Sequence, residues 1–298
     1  MAFGDKSLSP RGRFADIGAR RLHWVEAGPA GPAPLIVLEA GSFGFSADWA
    51  VVQARLAQRG LRSIAYDRAG LGLSDPGPAP RDGLAIVADL ERLLAMVGEV
   101  GPLVLVGHSM AGLHVHLFAV RNPRRIVGLV LVDAITPDGA AHPMVQRYAR
   151  HFGRLSRVAA GAAGLGLLRP LRRFGDRIEL GAEASAHKRL TFVNAAHNRV
   201  ASDEVQQWEA AARQGREAGS LDPVWPVAVV TAGGERGIGW SKPLQTAPAE
   251  ASRHGYAVNV READHASLLG RRHADAIVAG IAHVLAVWGN AGGVELNR

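Results

Sequence analysis

The 298-residue chain contains no cysteine. This absence excludes disulfides, thiol nucleophiles and thiolate metal sites, so nothing in the chain requires an oxidising compartment. Aromatic residues make up only 6% of the sequence, and no nucleic-acid-binding motif accompanies the net charge of +7. We therefore expect the excess arginines to lie on solvated helix faces, and we expect no nucleic-acid partner.

Long hydrophobic runs are also missing. The amino-terminal stretch has no apolar segment of the kind found in secretory signals, and the run from Val158 to Leu168 is too short to span a bilayer. We expect a soluble, cytoplasmic protein without stable membrane insertion, either a monomer or a homodimer. The hydrophobic fraction of 48% is sufficient to bury a full core.

Short apolar runs alternate with helix-like segments along much of the chain. Residues 13–26 predict an antiparallel hairpin, and residues 34–38, 61–66, 102–106 and 126–132 predict buried strands separated by helices. This alternation favours a parallel sheet with right-handed crossovers. Ligands of such sheets bind beyond the carboxyl ends of the strands.

The strand pattern stops after Asp133 and resumes at residue 226. The intervening segment has helical periodicity, which predicts an amphipathic helix followed by helices over residues 182–194 and 202–217. Glycine-rich joints are expected at Gly161, Gly164, Gly166 and Gly175. One face of the amphipathic helix carries Arg147, Arg150, Arg154 and Arg157, and the other carries Met144, Tyr148, His151 or Phe152, and Leu155.

A serine stands on a predicted turn between a buried strand and a helix. The sequence there is Gly107-His108-Ser109-Met110-Ala111-Gly112. Strand, sharp turn and helix would expose the serine hydroxyl at the carboxyl edge of the sheet, which is the geometry of a nucleophile elbow. The pattern Gly-x-Ser-x-Gly is met except that Ala111 replaces the last glycine.

With this motif the chain resembles the α/β-hydrolase superfamily over nearly its whole length, and the Asp-x-x-Gly-x-Gly-x-Ser pattern of residues 67–74 adds to the likeness. The resemblance implies the α/β-hydrolase fold: a mostly parallel sheet of about eight strands with helices on both faces and an inserted helical cap. We divide the chain into a core of residues 1–136 and 223–290, a cap of residues 137–222 and a tail of residues 291–298.

Acyl transfer by a serine needs a base and a third group that orients the base. Of the twelve histidines, His265 follows the final predicted strand, where the superfamily carries its catalytic histidine, and we assign it as the base. Two carboxylates remain open as the acid. We prefer Asp133, at the end of the strand over residues 126–132, and keep Glu235, after the next strand, as the alternative.

The oxyanion of the tetrahedral intermediate needs two backbone N–H donors. The resemblance implies Met110 as one donor and the loop after the strand over residues 34–38 as the source of the other. Many relatives have His-Gly in that loop, whereas this chain has Ala40-Gly41-Ser42-Phe43. We assign Ser42, with Phe43 as second choice, and note that the lost histidine is a side chain that can brace the loop.

These residues predict a serine hydrolase that cleaves a small to medium, mainly hydrophobic carboxylic ester through an acyl-enzyme. The same triad leaves open an acyltransferase or a carbon–carbon bond hydrolase, and a ligand-binding or signalling protein on a hydrolase fold is a further alternative. No phosphate-binding glycine motif or metal-ligand spacing is present, so we expect no cofactor and no metal. The expected contacts to the small-molecule substrate are Phe43, Phe45, His108, Phe152, Phe192 and Trp208.

Overall fold

The computed structural model of the protein describes residues 12–234 and 242–290. The predicted tail and the alternative acid Glu235 lie outside the described residues. The strands of the described part are β1 (Arg13–Asp16), β2 (Arg21–Ala27), β3 (Leu35–Glu39), β4 (Ser63–Tyr66), β5 (Leu103–His108), β6 (Ile126–Val132), β7 (Val227–Ala232) and β8 (Gly255–Val260).

Within the described residues, these eight strands form one sheet in the order β1-β2-β4-β3-β5-β6-β7-β8. The β1–β2 hairpin is antiparallel and joins β4 in antiparallel register, while all the remaining neighbours are parallel. Every residue of β3, β5 and β6 is buried, as expected for aliphatic strands that are covered on both faces. The predicted mostly parallel sheet is confirmed.

Helices cover both faces of this sheet. The core helices are α1 (Ala50–Gln58), α2 (Gly83–Met96), α3 (Ala111–Arg121), α8 (Lys242–Ala251) and α9 (Ala274–Asn290). One hydrophobic cluster joins the sheet to α2 and α3, and a second joins it to α1 and α9. A side-chain cap marks where α2 begins, because the Asp82 carboxylate accepts a hydrogen bond of 3.0 Å from the Ala85 N–H.

Four further α-helices lie between β6 and β7 in the described chain. The single helix predicted over residues 202–217 is wrong. One helix ends at Gln206 and another begins at Trp208, and the turn at Gln207 directs Trp208 into a buried apolar cluster. The joint predicted at Gly161 is wrong as well, because the helix continues through it among alanines, which favour helix, and ends at Gly164. The inserted helices are α4 (Pro143–Gly164), α5 (Ala182–Phe192), α6 (Ala195–Gln206) and α7 (Trp208–Ala218).

The long helix α4 packs on α6 through a narrow strip of mostly small residues. Gly153 faces the Gln206 side chain, and Ser156 Oγ lies 3.0 Å from Ser202 Oγ. The apolar face predicted from the sequence is largely left outside this contact, since Met144, Tyr148 and Leu155 are exposed. No described helix, α4 included, has both the length and the apolarity needed to cross a bilayer.

Candidate active site

Ser109 occupies a strained turn directly after β5. Its φ of 58° lies in the left-handed region, which residues with a side chain seldom adopt and which is found disproportionately at functional sites. Three backbone hydrogen bonds hold the turn: the Ser109 N–H donates to the Val132 carbonyl at 3.0 Å, and the Ser109 carbonyl accepts from the Gly112 and Ile135 N–H groups. The backbone geometry of a nucleophile elbow is therefore present.

Close packing explains two glycines that lie near this serine, Gly107 in β5 and Gly41 in the loop after β3. A Cβ at Gly107 would lie 2.9 Å from the Ala111 carbonyl oxygen, so only glycine fits where β5 and α3 meet. A Cβ at Gly41 would lie 2.8 Å from the Ser109 Cβ. The loop after β3 thus passes directly against the serine.

The structure brings Asp133 and His265 together. Asp133 follows β6, His265 follows β8, and the distance from Asp133 Oδ2 to His265 Nδ1 is 2.6 Å. A carboxylate accepts, so Nδ1 carries the proton and Nε2 keeps its lone pair. The other carboxylate oxygen, Oδ1, accepts from the Ala232 N–H at 3.3 Å and from Gln245 Nε2 at 3.0 Å. Sequence reasoning missed Gln245, which no motif marks.

The electrostatics of Asp133 favour its ionised form. Burial by itself would raise its pKa, but the hydrogen bond and charge of His265, with the bonds from Ala232 and Gln245, lower the pKa below its usual value. The carboxylate is therefore ionised near neutral pH and can stabilise an imidazolium on His265.

His108 lies beside this pair as a neutral imidazole. Burial and the neighbouring His265 lower the pKa of His108 to about 3. Its Nε2–H donates to the His265 carbonyl at 3.0 Å, and the two ring centroids are 4.6 Å apart. His108 thus fixes the backbone that carries His265. The described residues contain no hydrogen bond between the Ser109 and His265 side chains, and in unliganded sites such bonds are often long.

The predicted oxyanion donors lie on two segments that touch beside Ser109. Ser42 Oγ lies 3.5 Å from the Met110 Sδ, so the loop after β3 touches the residue that follows the serine. The backbone N–H groups of Met110, Ser42 and Phe43 donate no hydrogen bond within the described chain. Phe43 has a φ of 59°, and its carbonyl accepts from Lys188 Nζ and His197 Nε2, each at 3.3 Å.

A buried arginine supports the same loop. The Arg68 guanidinium donates to the carbonyls of Ala40 and Gly41 and forms ion pairs with Glu39 at 2.7 Å and Glu204 at 2.8 Å. Both carboxylates and the guanidinium are almost fully buried. The sequence indicated only that a bracing histidine is lost. The motif of residues 67–74 did not mark Arg68 as a contact of this loop.

An aromatic cluster lies beside the loop after β3 and Met110. The Phe43 ring meets Phe152 edge to face at 6.3 Å, and Phe152 contacts both Tyr148 and Trp208. Trp208 belongs to the same apolar cluster as Met110. Three of the expected substrate contacts are therefore brought together near the elbow. Tyr148 joins them, and its only signal in the sequence was its place on the apolar face of α4.

Of the other expected contacts, His108 lies beside His265, whereas Phe45 and Phe192 lie elsewhere in the packing. Phe45 is fully buried, with its ring 4.9 Å from His187 and 5.8 Å from His197. Phe192 is half-buried at the end of α5 and packs against Gly175. A role for either ring in substrate binding stays a prediction.

The protein also has a cavity away from this site. Its volume is about 1250 Å³, and β2, α1 and α5 line it with residues that include Val25, Ala50 and His187. None of the predicted catalytic residues borders it. Across residues 12–234 and 242–290, no group of three or more metal-ligating side chains is present.

Comparison with known proteins agrees with the fold. Residues 34–169 match the model of the alpha/beta hydrolase fold family. The enol-lactonase from Burkholderia xenovorans LB400 superposes with a TM-score of 0.66 at 20% identity, covering 92% of this chain and 100% of that one. The chain therefore has the α/β-hydrolase fold.

Curated relatives share only part of their length with this chain. One is a probable transporter, efuK, of Hormonema carpetanum, which is 36% identical over 138 residues, or 44% of this chain and 20% of that protein. Another is an AB hydrolase superfamily protein of Gibberella zeae, 35% identical over 105 residues, or 34% of this chain and 32% of that protein. The chain thus spans less than half the length of either relative.

Proposed function

We propose that the protein is a serine hydrolase that cleaves small to medium, mainly hydrophobic carboxylic esters through an acyl-enzyme. The observation that carries this proposal is the 2.6 Å hydrogen bond between His265, after β8, and Asp133, after β6, at the same edge of the sheet as the Ser109 turn. A serine, a histidine with a free Nε2 and an ionised carboxylate are the three groups that acyl transfer requires.

The first half of the reaction forms the acyl-enzyme. Ser109 Oγ attacks the acyl carbon while His265 Nε2 takes the hydroxyl proton, and Asp133 stabilises the imidazolium that results. The oxyanion receives hydrogen bonds from the Met110 and Ser42 N–H groups, which have no other acceptor among the described residues. His265 then gives its proton to the leaving alcohol, and the carbon–oxygen bond of the ester breaks.

The second half returns the free enzyme. Water attacks the acyl carbon as His265 removes one of its protons, and collapse of the intermediate expels Ser109 Oγ, which regains its proton from His265. The products are a carboxylic acid and an alcohol. A serine at the elbow favours this acyl chemistry over direct displacement by a carboxylate.

The preference for hydrophobic esters rests on the aromatic cluster. Phe43 and Phe152 are half-buried, and Phe152 packs on Trp208, which is buried in the same apolar cluster as Met110. Apolar walls with few polar groups are typical of sites for apolar ligands. The positively charged Lys188 is not available to a substrate carboxylate, because it is engaged by Asp48 at 2.7 Å and by the Phe43 carbonyl.

Steady-state hydrolysis of p-nitrophenyl acetate, butyrate and octanoate tests the proposal, with Ser109→Ala beside Ser220→Ala, an exposed serine in the loop after α7, as the matched control. We expect multiple turnovers that increase in kcat/KM from acetate to butyrate and that Ser109→Ala alone abolishes. Tight binding of an ester without turnover would instead favour a binding protein. Transfer of the acyl group to added methanol in preference to water would favour an acyltransferase.

A further inference from the structure

The positive charge of the chain is concentrated in one inserted segment. Residues 143–177 contain eight arginines, no lysine and a single acidic residue, Asp176, so this segment carries a charge of +7, equal to that of the whole chain. All eight arginines are exposed, and none forms an ion pair within the described structure. The arginines are Arg147, Arg150, Arg154, Arg157, Arg169, Arg172, Arg173 and Arg177.

Large apolar side chains are exposed in the same segment. Of the thirteen exposed large hydrophobic side chains in the described residues, eight recur through α4 and the 3-10 turn that follows it. Exposed apolar side chains are normal when scattered singly, but a concentration of them is typical of an interaction surface. The Asp176 carboxylate, which the charge of +7 already includes, accepts from the backbone N–H groups of Ile178, Glu179 and Leu180 and forms no ion pair with the arginines in the described structure. The exposed apolar residues are Met144, Tyr148, Leu155, Val158, Leu165, Leu167, Leu171 and Phe174.

On α4 the two kinds of side chain form parallel stripes. Met144, Tyr148, Leu155 and Val158 repeat at helical spacing along one line, and the arginines from Arg147 to Arg157 repeat along the next. The third side of the helix is the strip that packs on α6. The helix therefore presents both an apolar stripe and a basic stripe to the surroundings, the pattern of a helix that lies in a membrane interface.

We propose that this surface, the exposed residues of 143–177, docks on an anionic lipid membrane without spanning it. The arginines would contact lipid phosphates while their stems and the apolar side chains enter the headgroup region. A nucleic acid would engage the arginines but would leave the apolar stripe in water. Symmetric pairing with a second copy would bring the two basic stripes together, and like charges oppose that contact.

The docking surface continues into the candidate active site. Tyr148, in the exposed stripe, stacks on Phe152 at a centroid distance of 6.0 Å, and Phe152 meets Phe43 of the loop beside Ser109. Apolar esters dissolved in the membrane would thus reach the site along an apolar path. This link to ester supply rests on the proposed function, whereas lipid docking does not.

Vesicle flotation tests the docking. The samples are wild type, a variant with Arg147, Arg150, Arg154 and Arg157 all changed to Gln, and a matched variant with Arg92, Arg121, Arg124 and Arg253 changed to Gln, which removes the same charge from other exposed positions. The vesicles contain phosphatidylcholine alone or with 30% phosphatidylglycerol. Circular dichroism reports whether each variant is folded, and Ser109→Ala shows that binding does not need catalysis.

We expect wild type to bind the anionic vesicles and not the neutral ones, and the first variant to bind roughly 10²- to 10³-fold more weakly, since each of the four lost arginines weakens attraction to the surface. The matched variant should differ from wild type by less than about threefold. Absence of binding by wild type, or equal losses in the two variants, would overturn the proposal. So would a stable dimer in light scattering that Leu155→Glu dissociates, which would assign the surface to a second copy.

Discussion

Replacing Asp133 by asparagine keeps the shape of the side chain but removes the charge that faces His265. Asp133 Oδ2 lies 2.6 Å from His265 Nδ1. Two unit charges about 4 Å apart, in surroundings with an effective dielectric constant of about 20, attract by about 4 kcal/mol, which corresponds to roughly a thousandfold in rate. The His265 side chain is 52% exposed, and water weakens the attraction. We therefore expect kcat to fall by roughly 10²- to 10³-fold.

The assay is hydrolysis of p-nitrophenyl butyrate with kcat and KM determined separately. Glu235→Gln is the matched control, because it removes the carboxylate of the alternative acid, and we expect it to stay within about threefold of wild type in kcat. KM should change little in Asp133→Asn, since the carboxylate acts through His265 and does not touch the substrate. A near-normal kcat in Asp133→Asn together with a loss of about a hundredfold in Glu235→Gln would refute the reasoning and assign the acid to Glu235.

Three other perturbations have expected outcomes. Arg68→Met leaves two buried carboxylates without their partner, so urea unfolding should show a loss of about 3 to 5 kcal/mol in stability, and a loss below about 1 kcal/mol would contradict the buried network. Burial acts to raise the pKa of Asp67, but hydrogen bonds from His23 and Ser46 outweigh it and lower the pKa. The ionised carboxylate therefore stabilises the fold above its unfolded pKa of about 4, and urea midpoints should fall more steeply below that pH in wild type than in Asp67→Asn. Phe152→Ala should lower kcat/KM for the butyrate ester by roughly 10-fold, mainly through KM, and an unchanged KM would remove this ring from the substrate site.

The turn at Ser109 and the pairing of Asp133 with His265 follow from patterns that are readable in the sequence. A buried strand, a glycine, a serine and a helix are consecutive in the chain, so local chemistry places Ser109 at the sheet edge. Asp133 and His265 are 132 residues apart, but each directly follows a strand, and the carboxyl ends of parallel strands lie at one edge. That rule is enough to bring them to the same edge, although it does not distinguish Asp133 from Glu235.

Other features depend on how the inserted helices dock, which no local pattern encodes. Arg68 and Glu204 are 136 residues apart, and their contact exists only because α6 lies over the loop after β3. The periodicity of α4 shows that it is amphipathic, but it does not show which face is covered. Gly153 and Ser156 permit a close approach to α6, so this strip is buried and the larger apolar side chains stay outside.

The most direct test of the central claim is intact-protein mass spectrometry after exposure to a small fluorophosphonate, because such a reagent forms a stable bond only with an activated serine. We predict one adduct on the wild-type protein, located at Ser109 by peptide mapping, absent from Ser109→Ala and formed far more slowly by His265→Ala. No adduct on a folded wild-type protein, or an adduct that persists in Ser109→Ala, would contradict the account.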